Sequence, residues 1–331
     1  MNKFLNTLLS AVLLTTVFSC AKDPVEDTSG IQDEILKAWI EINHPDKLDE
    51  TTENGSYILE LKQGSGEKVS DTGFVFVHYV MKDLDGNITD TNMAEYADQL
   101  GGIDISYDYG CDIWQVGAEA VYKGVEDVLK TLRAGGRAVI AVPGSAASCT
   151  YDVYDAFPSG DGLSFIMELS LERVETDIYA YQEKLLEDYS NSRFGGIDTV
   201  NQGFYFIDQT PDGAVTDTIG DGATVKIWYI GRRLDGSVFD TNIQDTAKKY
   251  RIYNSEASYD ALELNWKKNV AEMLEDKEVV SGFAMAANKM NKNSTATTFF
   301  WSKLGYGISG QNPKIGEYSP MAFTLTIEPE K

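Results

Sequence analysis

The chain has 331 residues, more than the roughly 100 to 200 of a typical single domain, so two hydrophobic cores are expected. Hydrophobic residues make up 43% of the chain, which excludes wholesale disorder, and a net charge of −24 excludes nucleic acid as a partner held by charge. The only histidines are His44 and His78, so a histidine-rich metal site or a Ser-His-Asp triad in each half is excluded, and neither a metal nor a cofactor is expected.

Residues 1–19 have the pattern of an export signal, because Lys3 is their only charge and a run of apolar and small residues follows it. The run ends in Ser19-Cys20 and resembles a bacterial lipobox, which implies that Cys20 is acylated and opens a tether over residues 20–54. No later stretch has the roughly 18 apolar residues of a transmembrane helix, so the lipid alone would hold the membrane. We expect an exported bacterial lipoprotein of the outer membrane, on its periplasmic face or at the cell surface.

The tether contains a predicted helix. The spacing of Ser29 and Gln32 is that of a capping box, and Pro45 ends the helix. One face of this helix is predicted to be apolar and to pack against the protein, and it consists of Ile31, Ile35, Trp39 and Ile42.

Residues 55–174 are predicted to form a first domain. Apolar residues alternate over 75–79 as one buried face of a strand, and Asp85-Gly86 marks a tight hairpin because glycine takes up the positive φ that such a turn needs. A faint calcium-loop pattern at this hairpin is the weaker interpretation. A closing strand over 165–169 follows a central helix whose buried face consists of Val125, Val128, Leu129 and Leu132.

A linker over residues 175–202 is predicted to contain a helix from about Thr176 to Arg193. Gly195-Gly196 stops this helix, and we expect it to join two domains as a semi-rigid spacer. Its apolar face consists of Ile178, Tyr181, Leu185 and Tyr189.

Residues 203–331 are predicted to form a second domain that repeats the first. The pattern of residues 75–92 recurs at an offset of 150, and a later block recurs at an offset of 158, so the second copy carries an insertion eight residues longer. The chain therefore looks like a tandem duplication. The insertion is predicted to form a helix near Tyr259 to Met273 whose apolar residues are packing surface, with Trp266 overhanging a pocket as the alternative.

Strands followed by a short helix and further strands predict an α+β fold in each copy. The second copy has V-K-I-W-Y-I-G at residues 225–231 and D-G-S-V-F-D-T at residues 235–241, which resembles the FKBP-type peptidyl-prolyl isomerase family. The first copy carries further blocks similar to that family, at residues 114–117, 121–125, 132–137 and 142–143.

The resemblance covers residues 55–174 and 203–329, and it implies two FKBP-like domains, each a bent antiparallel sheet wrapped on a short helix. It also implies peptidyl-prolyl cis-trans isomerisation of proline-containing polypeptide clients. That chemistry needs no acid, base, nucleophile, metal or cofactor, because an apolar cup that favours the twisted amide lowers the barrier of about 18–20 kcal/mol.

The resemblance assigns an apolar cup to the second copy, with Phe283 where the family has Trp and Leu325 where it often has Phe. The cup residues would be Tyr229, Phe239, Asp240, Val279, Val280, Phe283 and Tyr306. A weaker cup in the first copy would use Tyr79, Asp90, Val121, Tyr122 and Phe165, but there Thr89, Val125 and Met81 replace the rim Phe, the floor Trp and the Gly. Any activity is therefore expected in the second copy.

Two cysteines remain once Cys20 is acylated, and they allow either a disulfide or two buried thiols. The family fold implies a disulfide between Cys111 and Cys149, because it brings their segments close together. Asp90 and Asp240 also fit a simpler role as caps of a turn, and both roles are compatible.

Three functions from different classes fit these observations. The first is a prolyl isomerase for exported proteins, and the second is a binding or chaperone module that has lost catalysis. The third is a structural surface lipoprotein. The altered floor and rim and the longer insertion favour the second interpretation over a fast enzyme.

Overall fold

The computed structural model describes residues 29–118, 120–147, 162–275 and 279–328. No helix among these residues is long and apolar enough to cross a membrane. The export signal, Cys20 and Cys149 lie outside the described residues.

The first sheet has the strand order β1-β5-β6-β2-β3, and β4 also pairs with β2. All of its pairings are antiparallel. The strands are β1 Tyr57–Lys62, β2 Phe74–Lys82, β3 Ile88–Thr91, β4 Asp112–Gln115, β5 Gly136–Val142 and β6 Phe165–Glu175. The helices of this part are α1 Ser29–Asn43, α2 Ala94–Ala97 and α3 Lys123–Leu129.

The second sheet has the order β10-β8-β12-β11-β7, and β9 pairs with β8. Its strands are β7 Phe204–Asp208, β8 Thr224–Arg233, β9 Val238–Thr241, β10 Leu262–Asn265, β11 Ser294–Phe300 and β12 Met321–Ile327. The remaining helices are α4 Ile178–Phe194 between the sheets, α5 Gln244–Lys249, α6 Val270–Met273 and α7 Ser281–Lys289. Taken in chain order, each strand has the same neighbours as its counterpart in the first sheet, which confirms the α+β class with two antiparallel sheets.

Below, the first domain is the first sheet with α3, and the second domain is the second sheet with α7. The predicted hairpins are confirmed, because Gly86 and Gly236 have φ values of 87° and 97°. The predicted face of the central helix is also confirmed: Val125, Val128 and Leu129 are fully buried against the first sheet.

Helix α1 forms where it was predicted, but the face assigned to it is wrong. Leu36 and Ile40 are the fully buried residues, and they pack on Leu59, whereas Ile31 and Ile42 are 63% and 79% exposed. The helix docks with a hydrogen bond from the Trp39 indole, which lies on the predicted face. The pattern failed because isoleucines occupy both sides of the helix, so spacing alone did not select the side that meets the sheet.

Helix α4 forms where the helix from about Thr176 to Arg193 was predicted and joins the two domains, but it packs on both of them and is not a free spacer. Its N-terminal half lies on the first domain, where the Tyr181 ring packs 5.2 Å from that of Phe76. Its C-terminal half lies on the second domain, where Leu186 is fully buried beside Phe299. The exposed sides of both sheets are therefore partly covered by one helix, which explains why Phe76 is buried on the face opposite to the first core.

The predicted insertion helix is also wrong. Residues 262–265 form strand β10, in which Leu262 pairs with Ile227, so the offset of 150 continues to this point and the extra residues come later. Trp266 does not overhang a pocket: it is 9% exposed and its indole donates to the Ala287 carbonyl oxygen. The residues at helical spacing are core residues of a strand and the short helix α6.

Candidate functional site

The second-domain site begins with a tyrosine and a carboxylate on neighbouring strands. Tyr229 on β8 donates its hydroxyl to Asp240 on β9 over 2.8 Å. Asp240 also accepts from the Thr241 amide over 2.9 Å, so the carboxylate caps the turn and faces the site at the same time. Burial, with Asp240 as a further cause, raises the pKa of Tyr229, which therefore stays a hydrogen-bond donor at neutral pH.

Asn242 holds this turn through two hydrogen bonds between its side chain and the backbone of β8. Its amide oxygen accepts from the Tyr229 backbone N–H over 2.8 Å, and its amide nitrogen donates to the Ile227 carbonyl oxygen over 2.9 Å. The first domain repeats this arrangement with Asn92, Tyr79 and Val77. In both domains, therefore, the Asn of the D-T-N motif bonds to the neighbouring strand and holds the turn so that the Asp faces the site.

Three phenylalanine rings form the apolar floor of the second-domain site. Phe239 and Phe283 both pack edge-on against Phe323, at centroid distances of 5.8 and 5.4 Å. Tyr229 packs edge-on against Phe283 at 5.9 Å. The three phenylalanines are each at most 5% exposed, so the floor is a packed aromatic surface.

Phe323 was missed by the sequence analysis, which placed Leu325 where the family often has Phe. The strand register shows otherwise. Met321 pairs with Phe300 as Phe165 pairs with Val142, so Met321 is the counterpart of Phe165. Leu325 lies opposite Tyr229, deep in the core. Met321, Phe323 and Leu325 point to the same face of β12, and only their different partners on β8 distinguish them.

A glycine makes room for this floor. Gly231 pairs with Phe323, and a Cβ at Gly231 would lie 2.7 Å from the Phe239 ring. At the same position the first domain has Met81, which is 5% exposed, and its partner strand has Thr89 where the second domain has Phe239. The two differences are linked. A side chain in place of Gly231 would fill the space that the Phe239 ring occupies, so Met81 of the first domain goes with the smaller Thr89.

The remaining predicted residues of the second-domain site line its edge. Val279, Val280 and Tyr306 are partly buried and pack on the same core as Phe283. Burial, followed by the charge of Asp240, raises the pKa of Tyr306. The structure thus brings six of the seven predicted residues onto one hydrophobic cluster, and the seventh, Asp240, is hydrogen-bonded to Tyr229 of that cluster.

A cavity of about 140 Å³ opens beside the tyrosine–aspartate pair. It touches Tyr229, Phe239 and Asp240, but not Val279, Val280, Phe283 or Tyr306. Its other lining residues are largely polar or come from the loop before β10, and they include Ile252, Tyr259 and Lys314.

At two positions the first-domain site is more deeply buried than the second: Val121 and Tyr122 are each 2% exposed, whereas their counterparts Val279 and Val280 are only partly buried. Val121, Tyr122 and Phe165 are each at most 6% exposed, and the Tyr122 and Phe165 rings lie 5.3 Å apart inside the core. Tyr79 donates to Asp90 over 2.8 Å, and burial raises the pKa of Asp90. The first-domain residues therefore keep the polar rim, while the apolar surface behind it is core packing.

A cavity of about 380 Å³ lies in front of this rim. Its first-domain wall includes Tyr79, Asp90 and Asp112, and the second domain supplies Asn312 and Pro313. Behind it, burial and the charge of Glu317 raise the pKa of Asp112, and burial raises that of Glu317. Asp112 and Glu317 come from different domains, so their two carboxyl groups influence each other electrostatically across the domain interface.

Cys111 is a free thiol among the described residues, and its predicted disulfide partner, Cys149, lies outside them, so the disulfide stays a prediction. Burial raises the pKa of Cys111 to about 12. Among the described residues, no group of three or more His, Cys, Asp or Glu side chains is arranged to hold a metal ion.

The fold and this site define an α+β domain with an aromatic floor and a tyrosine–aspartate rim. Residues 216–328 match the family model of the FKBP-type peptidyl-prolyl cis-trans isomerase. The matched segment is about a third of the chain and lies within the second domain. The match confirms the resemblance there and supports peptidyl-prolyl cis-trans isomerase activity.

Two solved structures are similar to this chain at 15% identity. The three FKBP domains of wheat FKBP73 cover 84% of this chain and 95% of their own, with a TM-score of 0.29. A peptidyl-prolyl cis-trans isomerase from Pseudomonas syringae pv. tomato covers 46% of this chain and 91% of its own, with a TM-score of 0.32. Both TM-scores are low, so these likenesses carry no argument about function.

Proposed function

We propose that the chain is a membrane-anchored peptidyl-prolyl isomerase for exported proteins, and that its second domain carries the activity. The observation that carries this proposal is the site at Tyr229, where the hydroxyl is held by Asp240 above the packed rings of Phe239, Phe283 and Phe323. A prolyl ring placed on that floor would leave its amide next to apolar surface, which disfavours the polar planar amide relative to the twisted one.

The first domain is proposed to be a diverged tandem copy without catalysis. The supporting observations are the repeated Asn-anchored turn and the equivalent strand order, together with the burial of Val121, Tyr122 and Phe165. In that arrangement the domain keeps the fold and the rim, but Val121 and Tyr122 are buried where their counterparts Val279 and Val280 are partly exposed.

The anchor is proposed from the sequence alone, from the apolar run that ends at Cys20. Exported lipoprotein status and an outer-membrane location, on either face, follow from that run. Fatty-acid label should enter the wild-type protein and vanish in Cys20→Ala. Label that persists in the variant would remove the anchor and the location together.

Isomerase activity is tested with Phe239→Ala in the full chain. The substitution removes the one floor ring that lines the cavity, which is 2% exposed and packs on Phe323. The isomerisation rate of a proline-containing peptide should therefore fall by about tenfold or more. The matched control is Thr89→Ala at the first-domain counterpart, which should leave the rate unchanged. Equal rates for both variants would contradict the assignment.

A binding or chaperone module without catalysis is the second candidate. It is favoured by the tight packing of Phe283 and Phe323, because rings that fill the floor leave a prolyl ring a shallow seat. The two candidates separate in one experiment, since a pure binder would hold a proline-containing peptide while leaving its isomerisation rate at the uncatalysed value.

A further inference from the structure

The loop from Tyr306 to Ser319, named here the bridging loop, lies between the two sites. It belongs to the second domain, where it joins the turn after β11 to β12. Its Lys314 lines the second-domain cavity together with Asp240, whereas its Asn312 and Pro313 line the first-domain cavity. One short loop therefore forms part of the wall of both cavities.

The backbone of the bridging loop is held from the first domain. The Asp108 amide donates to the Pro313 carbonyl oxygen over 2.7 Å. Arg233, at the end of β8, donates through Nη2 to the Ser106 carbonyl oxygen over 2.6 Å and also to the Lys314 carbonyl oxygen. A single guanidinium thus links a first-domain carbonyl to Lys314, a residue that lines the second-domain cavity.

Charge strengthens this link. Arg233 is 9% exposed, and its Nε lies 3.5 Å from the Asp108 carboxylate. A planar guanidinium with several fixed donors suits such a site, because it donates to two carbonyl oxygens and forms an ion pair with a carboxylate at once, which a lysine ammonium on a flexible stem does less well.

The far end of the bridging loop is buried against the first domain as well. Tyr318 is 2% exposed, its ring lies 5.1 Å from that of Phe74, and its hydroxyl donates to the Gln115 side chain over 3.3 Å. Glu317 is 1% exposed, and its carboxylate accepts a hydrogen bond from the Asn312 side chain over 2.8 Å. The loop is consequently anchored at its middle and at its end by groups outside its own domain.

We propose that the first domain is the scaffold of the second-domain pocket, and that Arg233 is the positioning residue that transmits this support to Lys314. The second-domain pocket then depends on residues 104–115 of the first domain, which contribute no atom to it. The inference rests on the proposed function only in taking the second-domain pocket as the site that receives a prolyl segment.

The test compares Arg233→Met with Arg232→Met in the full chain. Arg232 is the neighbour of Arg233 on β8 and bonds Thr324 inside the second sheet, so it controls for loss of an arginine without loss of the link. Hydrogen exchange of residues 307–318 should become at least about tenfold faster in Arg233→Met, which corresponds to about 1.4 kcal/mol, and should change little in Arg232→Met.

Affinity for a labelled proline-containing peptide should fall in Arg233→Met by about threefold to tenfold, with KM raised more than kcat is lowered, because the loop shapes the pocket and does not touch the reacting bond. Arg233→Lys should restore part of the affinity. A purely structural role would instead lower the free energy of unfolding without this split between KM and kcat.

A second variant acts from the other domain, and it answers the case in which Arg233→Met fails to fold. Asp108→Ala removes the carboxylate from the first domain and leaves every second-domain residue in place, and it should accelerate exchange of residues 307–318 in the same direction. Unchanged exchange in folded Asp108→Ala and Arg233→Met would overturn the scaffold proposal. Exchange is independent of turnover, so a chain without isomerase activity that still shows the accelerated exchange overturns the proposed function alone.

Discussion

Gly231 offers a sharp test of how the two domains diverged. A Cβ at this position would lie 2.7 Å from Phe239 Cζ and 3.0 Å from a Phe323 ring carbon. Carbon atoms in contact normally lie about 3.5–4.0 Å apart, so a side chain here overlaps the rim ring by about 1 Å. Gly231→Met should therefore destabilise the second domain by about 1–3 kcal/mol through overpacking.

The first domain shows how that overlap is relieved, because it combines Met81 with Thr89. Phe239→Thr alone should cost about 3 kcal/mol, since it empties a site that is 2% exposed. The double variant Gly231→Met with Phe239→Thr places the new side chain in the vacated space. It should be more stable than the sum of the single changes by about 1–3 kcal/mol.

The assay is a double-mutant cycle in urea, followed by exchange protection of β8 and β12 amides so that only the second sheet is observed. Wild type and the three variants supply the four free energies of unfolding. Energies that add to within about 0.5 kcal/mol would refute the reasoning, because they would show that the two positions do not share one space. The double variant should also have lost affinity for proline-containing peptides.

Three further predictions concern the domain interface and its surroundings. Gln182→Ala removes a fully buried amide that exchanges two hydrogen bonds with Ser302, so the free energy of unfolding should fall by about 1–3 kcal/mol in urea denaturation; a change within error contradicts this. Because burial raises the pKa of Cys111 to about 12, the folded protein should react with iodoacetamide at pH 7.5 far more slowly than a peptide thiol, and peptide-like labelling would show that the thiol is accessible. Burial raises the pKa of the Asp112 and Glu317 carboxyl groups, and for Asp112 the charge of Glu317 raises it further. The folded state therefore keeps protons that the unfolded state loses. The stabilisation is fully present below the ordinary carboxyl pKa of about 4 and is lost as pH rises toward the raised pKa values. Asp112→Asn should flatten the decline in the free energy of unfolding above about pH 4, and an identical decline in wild type and variant would exclude this source.

Much of the fold was predictable because its signals are local. Asp85-Gly86 and Asp235-Gly236 set two hairpins by turn chemistry alone, and both glycines have positive φ. Likewise the helix that carries Val125 and Val128 has the spacing of one buried face, and the structure buries both. The repeat then supplied the second sheet, since each signal recurs at a constant offset.

What failed depended on register or on distant partners. Leu262 and Trp266 have helical spacing, yet Leu262 lies on strand β10, which pairs with β8. Trp266 follows this strand and lies in the core. Phe323 and Leu325 point to the same face of β12, so only the pairing with Gly231 shows which of them forms the floor. A motif match without register does not separate such residues.

The interface between the domains gave no periodic signal at all. Arg233 stands where the first copy has Asp83, and this reversal of charge was the single trace of its role in the sequence. Its partners Ser106 and Asp108 lie more than a hundred residues away, in the segment between β3 and β4. Contacts of that kind depend on how two finished domains dock, which local propensity does not encode.

The assignment of isomerase activity to the second domain is tested by the rate of cis-trans isomerisation of a proline-containing peptide, measured with the full chain and with two matched variants. Asp240 and Asp90 occupy equivalent turns and accept the same tyrosine hydrogen bond over 2.8 Å. The account predicts that wild type accelerates the reaction, that Asp240→Val loses most of this acceleration, and that Asp90→Val keeps it. Acceleration that survives in Asp240→Val and disappears in Asp90→Val would contradict the assignment of the activity to the second domain.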